Sequence, residues 1–119
     1  MIAKSGAKTI LDVATGTADL AIELSKIPNA HITGIDISRG MLDKGDVKLE
    51  KLNLTKRIQL QQADSENLPF ENNAFDAITV SFGVRNFENL KAGMTDMCRV
   101  LKPGGILAVL EFSKPTNPV

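Results

Sequence analysis

At 119 residues, with one cysteine, one histidine and neither tryptophan nor tyrosine, the chain is long enough for one domain with a core. It cannot build a disulfide framework, and it shows no cluster of metal-ligand type. Its 14 basic and 14 acidic side chains cancel, which argues against a broad basic footprint for nucleic acid. The longest apolar run, residues 106–110, is far too short to span a bilayer, and the first ten residues lack the apolar core of a signal peptide.

Residues 9–14, TILDVA, form an apolar run before a turn and read as a first strand. Leu20, Leu24 and Ile27 then fall at helical spacing, and Pro28-Asn29 closes a helix over 19–27. Residues 31–37, HITGIDI, read as a second strand, with His31 at its outer start as a surface residue. Ser38 suits the N-cap of a second helix that carries Met41, Leu42, Gly45, Leu49 and Leu52 on one face. Lys44, Lys48 and Lys51 interleave with Asp43, Asp46 and Glu50, which predicts a solvated face there. Residues 57–63, RIQLQQA, alternate in polarity, so the third strand is expected on the outside of the sheet. FDAITVSF, residues 75–82, is the fourth. Leu90, Met94, Met97 and Leu101 mark a third helix, with Cys98 read as one of its small core residues and Lys102-Pro103-Gly104-Gly105 as its stop. ILAVLEF, residues 106–112, is the fifth strand.

Strands alternating with amphipathic helices imply right-handed crossovers and a parallel sheet. The first, fourth and fifth strands are near-continuous apolar runs and are expected at its centre, covered on both faces. An apolar fifth strand so near the last residue would be left as an open edge. The expectation is therefore a piece of a larger sheet, or else an edge covered by a second copy.

In open parallel sheets, ligands bind beyond the carboxyl ends of the strands, where strand order reverses. The residues falling there are Ala14-Thr15-Gly16-Thr17, Asp36, Asp64-Ser65, and Ser81 with Gly83-Val84-Arg85-Asn86. Gly16 allows close approach to the backbone. Asp36 stands where a carboxylate accepts both ribose hydroxyls. Asp64 suits an adenine amino group. Each residue alone also reads as a turn or cap, but together they point to adenosine. A dinucleotide loop needs G-x-G-x-x-G, whereas this one reads A-x-G-x-x-D from Ala14 to Asp19. Asp19 sets a negative charge where a pyrophosphate would want the helix N-terminus. With Asp12, Asp36 and Asp64 it makes a rim hospitable to a cation, which suits S-adenosylmethionine and disfavours NAD.

Asp12-x-Ala14-x-Gly16-x-Ala18, the acid after the second strand and KPGG before the fifth resemble the class I S-adenosylmethionine-dependent methyltransferases. LDVATGTADLA, GIDIS, LPFENNAFDAITVSFGVRNF, MCRVLKPGG and LAVLEFSKP narrow the likeness to the C-methyltransferases of menaquinone and ubiquinone biosynthesis, over nearly the whole chain. The resemblance implies an α/β, Rossmann-like doubly wound parallel sheet within a seven-stranded class I methyltransferase fold. Residues 1–119 would hold the first five strands as a cofactor-binding core, without the family's N-terminal helices and C-terminal strands. It implies a polyprenyl quinol substrate, a cytoplasmic chain with at most peripheral membrane contact, and room for a homo-oligomer, with neither nucleic acid nor metal. By motif, Gly16 and Thr17 approach the methionine part of the cofactor, Asp36 the ribose, and Asp64 with Ser65 the adenine. Ser81 lies below the sulfonium, and Asp12, Ala14 and Ile37 complete the cofactor-binding set. Arg85 would steady a phenolate as a cation, and Asn86 would orient a hydroxyl or water. A methyltransferase for another small molecule and a non-catalytic cofactor-binding fragment are the alternatives.

Overall fold

The structure, a computed structural model, describes residues 8–64, 66–82 and 90–111, with the backbone alone at 81, 82, 90–92, 110 and 111. Strands and helices alternate as β1 (Thr9–Val13), α1 (Asp19–Leu24), β2 (His31–Asp36), α2 (Arg39–Lys51), β3 (Ile58–Gln62), β4 (Phe75–Phe82), α3 (Leu90–Val100) and β5 (Leu101–Glu111). The sheet order is β3-β2-β1-β4-β5, and every neighbouring pair is parallel. The chain winds outward from β1 through β2 to β3, then returns to the other side of β1 with β4. Strand order therefore reverses between β1 and β4, and a crevice is expected at their carboxyl ends. β3 is an outer strand, as its alternating polarity predicts.

Successive strand residues face opposite sides, so the sheet feeds two cores. Ile10, Ile32, Ile58 and Ala77 pack with Ala21 of α1 and Leu49 of α2. Leu11, Val13, Ile35, Ile78 and Val80 pack with Met97 and Val100 of α3. Phe70 and Phe75 close the second core edge-to-face, with ring centroids 5.1 Å apart.

Three expectations are corrected. First, α3 ends at Val100, and Leu101 already pairs with Phe75, so Lys102-Pro103-Gly104-Gly105 is not the helix stop. It forms an irregularity inside β5, which advances from Leu101 to Ile106 while β4 advances from Phe75 to Ala77. Lys102 is drawn back to Asp76 at 3.0 Å, and a Cβ on Gly105 would lie 2.8 Å from the Asp76 carbonyl oxygen. Second, β5 takes the open edge anticipated for it among the described residues, but it is only half-buried rather than covered on both faces; Val109 is 46% exposed. Third, Cys98 is exposed. The buried positions of α3 include Gly93, Met97 and Val100, and Cys98 stands one residue past Met97, about 100° round the helix. On α2, Leu42, Gly45 and Leu49 are buried as read, whereas Met41 and Leu52 lie largely outside.

The amino end of the sheet is knitted by one carboxylate. Asp76 Oδ2 accepts from the Lys8 and Thr9 amides at 2.9 and 3.1 Å, and Thr9 Oγ1 accepts from the Asp76 amide at 3.1 Å. The Lys8 amide first, then Lys102 and the Thr9 amide, hold the Asp76 carboxyl well below the usual carboxylate range. A depressed carboxyl value adds stability above the unfolded value and loses it as pH falls through the folded one. Asp76→Asn is expected to lower the urea midpoint at pH 7, with the gap to wild type narrowing below about pH 4. A gap that does not change with pH contradicts this role.

Candidate functional site

The site is organised around Asp12. In the sheet it pairs with Gly34 on one side and Thr79 on the other, and it is 1% exposed. Thr79 Oγ1 donates to its Oδ1 at 2.7 Å, and Thr15 Oγ1 donates to its Oδ2 at 2.8 Å. Burial pushes the Asp12 carboxyl up to about 6, against the pull of the two hydroxyls, and the nearby Asp36 charge adds to the rise. Gly34 makes room for this arrangement. A Cβ there would lie 2.7 Å from Thr15 Oγ1 and 2.9 Å from Leu60 Cδ2. Asp12 thus lies beneath the loop that follows β1 rather than on an open rim.

That loop has a left-handed backbone at alternate residues: φ is 63° at Ala14, 59° at Gly16 and 75° at Ala18. Glycine adopts this freely, whereas an alanine costs roughly 1–2 kcal/mol. Neighbouring groups hold the loop in place. The Thr15 amide donates to the Ile35 carbonyl at 2.8 Å, and the Ala18 amide to the Thr15 carbonyl at 2.9 Å. The Gly16 amide donates to Asp36 Oδ2 at 2.8 Å.

Helix α2 presses on the same loop. A Cβ on Gly45 would lie 3.3 Å from the Thr17 carbonyl, and Lys48 Nζ donates to Thr17 Oγ1 at 3.0 Å. Lys48 also pairs with Asp19, whose side chain is 80% exposed. Two expectations change here. Lys48 bridges helix and loop instead of standing on a solvated face, and the charge of Asp19 is met from within the chain. A glycine inside a helix costs about 1 kcal/mol relative to alanine, and this was the sequence signal for the close approach at Gly45.

Asp36, half-buried at the end of β2, spends its other oxygen on the Ser38 amide at 2.9 Å. Ser38 in turn caps α2, its Oγ accepting from the Met41 amide at 3.3 Å. Ile37 is 71% exposed beside it. The Ala63 amide donates to the Asp36 carbonyl at 3.1 Å, which sets the chain beyond β3 alongside. Asp64 is exposed there; its Oδ1 accepts from the Glu66 amide at 2.9 Å and its carbonyl from the Asn67 amide at 3.0 Å. Gly16 and Asp36 are therefore joined directly, and Asp12 reaches the loop through Thr15. Asp64 shares the rim without a bond to them among the described residues. Ser81 pairs with Leu110 near the end of β4. Ser65, Arg85 and Asn86 lie outside the described residues. Sequence reasoning placed Thr15 at the strand end without a role, read Lys48 as solvated, and passed over Thr79 and Gly34. Among the described residues no group of three or more His, Cys, Asp or Glu side chains could hold a metal ion.

Residues 1–119 match the ubiE/COQ5 methyltransferase family. The chain is 47% identical over 119 residues to the demethylmenaquinone methyltransferase of Porphyromonas gingivalis, which covers 98% of this chain and 49% of that one. It is also 47% identical over 120 residues to the ubiquinone/menaquinone biosynthesis C-methyltransferase UbiE of a Geobacter species, covering 99% and 51%. The chain thus spans about half the length of the curated relatives it matches. The solved SAM-dependent methyltransferase of Aquifex aeolicus superposes with a TM-score of 0.83 at 26% identity, over 96% of this chain and 61% of that one. The cyclase SpnF superposes with a TM-score of 0.82 at 31% identity, over 87% and 38%. A methyltransferase and a cyclase share this scaffold, so the fold by itself does not name the chemistry.

Two variants probe the loop anchor. Gly34→Ala is expected to push Thr15 off Asp12 and cost about 1–3 kcal/mol in urea unfolding; a neutral effect would show that the space is not needed. Asp12 has a raised carboxyl value, so its proton is held more tightly in the folded chain. Stability is expected to fall as pH rises from the unfolded value of 3.8 to about 6 and to stay level above that. Asp12→Asn should flatten that window, and a wild-type slope retained in the variant would assign it to another group.

Proposed function

Because the chain belongs to the ubiE/COQ5 methyltransferase family, we propose that it binds S-adenosylmethionine along the ends of β1, β2 and β3. On this reading it serves a C-methyltransferase that acts on the ring of a polyprenyl quinol in menaquinone or ubiquinone synthesis. The observation that carries the reading is Asp36. Its carboxylate bridges the Gly16 and Ser38 amides. A carboxylate has about four lone-pair sites, so capacity remains for two ribose hydroxyls. The exposed face of Ile37 beside it suits a ring. The same bridge argues against a dinucleotide, because a phosphate seeking the Gly16 amide would meet a carboxylate already bound there. Asp64 and Ser65 are our candidates for adenine. Ala14, Gly16 and Thr17 are our candidates for the wall along the methionine part, with Ser81 near the sulfonium. Asp12 favours a positive ligand through its buried charge, from below and without contact.

When bound, S-adenosylmethionine supplies a methyl group already activated on a positive sulfur. The chain's own task is to position it and exclude water. We assign Arg85 and Asn86, by motif, to steadying the oxyanion of the acceptor ring and orienting its hydroxyl. A polyprenyl tail belongs in lipid, so the reading puts the reaction at a membrane surface, served from the cytoplasm by peripheral contact. No helix of the described residues is long and apolar enough to cross a membrane. The half-length match favours a second reading, a cofactor-binding part that does not turn over by itself.

Calorimetric titration with S-adenosylmethionine, S-adenosylhomocysteine and NAD tests the proposal. Binding of the first two is expected, and binding of NAD alone overturns it. Asp36→Ala should weaken S-adenosylhomocysteine by about 1–3 kcal/mol; unchanged affinity refutes the ribose role. Binding without turnover of a short-chain demethylated quinol would favour the second reading.

A further inference from the structure

Residues 66–73 precede β4 and belong to no strand ladder among the described residues, yet α3 holds them firmly. Asp96 Oδ2 accepts from the Leu68 amide at 2.5 Å, and Arg99 Nη2 donates to the Leu68 carbonyl at 2.9 Å. The two side chains thus satisfy both backbone groups of Leu68, as a neighbouring strand would. Arg99 Nη1 donates to the Phe70 carbonyl at 2.8 Å and to Asn72 Oδ1 at 2.9 Å. Its Nε donates to Asp96 Oδ1 at 2.8 Å and its Nη2 to Asp96 Oδ2 at 3.2 Å. Arg99 thus directs five contacts from a guanidinium that has five N–H donors in a fixed fork. Leu68 is 3% exposed and packs in the core with Met97 and Val100, so segment and helix are locked together. The lock reaches the rim within one residue, because the Asn67 amide, next to Leu68, donates to the Asp64 carbonyl.

We propose that Asp96 and Arg99 are positioning residues for base recognition, holding the segment beyond β3 so that Asp64 is presented to the adenine amino group. This inference rests on the reading that Asp64 takes that group. β3 ends at Gln62, and past Ala63 the ladder no longer fixes the chain. The placement of Asp64 is then set by its turn with Asn67 and by the clamp behind it. A lysine at position 99 keeps the charge but loses the fork, so it cannot hold Leu68, Phe70 and Asn72 together.

The test is a ratio of affinities, which a purely structural clamp would not move. S-adenosylhomocysteine is titrated against its analogue whose purine lacks the 6-amino group. Wild type is expected to prefer the former by about tenfold, the worth of one ordinary hydrogen bond. Arg99→Lys is expected to bind the analogue as wild type does and to lose most of the preference. Asp96→Asn, which keeps the shape but leaves one acceptor oxygen where two served the Leu68 amide and Arg99, should act the same way and stands in if the lysine variant does not fold. Equal weakening of both ligands, with the ratio kept, overturns the proposal. A wild type that shows no preference instead overturns the reading of Asp64, and the positioning role with it.

Discussion

Asp12 lies between Gly34 and Thr79 at the point where strand order reverses, with two hydroxyls where a counter-ion would be expected. Burying a carboxylate costs several kcal/mol before its hydrogen bonds are counted, and the same burial pushes the Asp12 carboxyl upward. The arrangement ties the β1 loop to β4 through Asp12 itself. Thr15 is held from below by Asp12, and Gly16 from the side by Asp36. On either side of these anchors the loop keeps an alanine, Ala14 and Ala18, in a backbone conformation that glycine would favour.

The rim is braced from three directions. The sheet holds it through Asp12, α2 through Gly45 and Lys48, and α3 through Asp96 and Arg99. The loop, Asp36 and the segment after β3 are each fixed by groups that need not touch a ligand. A site of this kind is organised before anything binds, which lowers the ordering cost of binding. Such preorganisation suits a ligand whose chemistry is already activated, since the remaining work is alignment. A cyclase shares the scaffold, so the fold leaves the acceptor chemistry open.

The sequence revealed most where the causes are local. Ser38 caps α2 as read, and β4 runs over the predicted residues, because cap chemistry and an apolar run act within a few positions. Gly16, Asp36 and Asp64 fall at or just past the carboxyl ends of their strands as read, because strand ends follow from local apolar runs. Long-range partners were not legible. Lys48 meets Asp19 across 29 positions and Arg99 meets Leu68 across 31, and no periodicity announces either. Alanine gives no hint of positive φ, so the strain at Ala14 and Ala18 was hidden. Cys98 was misjudged by one step of helical rotation. The quinone reading rests on motif likeness, which no count of apolar positions could supply.

The central claim is that Asp36 keeps its bond to the Gly16 amide while offering its remaining lone pairs to a ribose. A crystal structure of the chain with S-adenosylhomocysteine tests this most directly. The account predicts both ribose hydroxyls within hydrogen-bond distance of Asp36, with the Gly16 amide still on the carboxylate. A ligand seated away from Asp36, or a carboxylate that touches only the Gly16 and Ser38 amides, would contradict it.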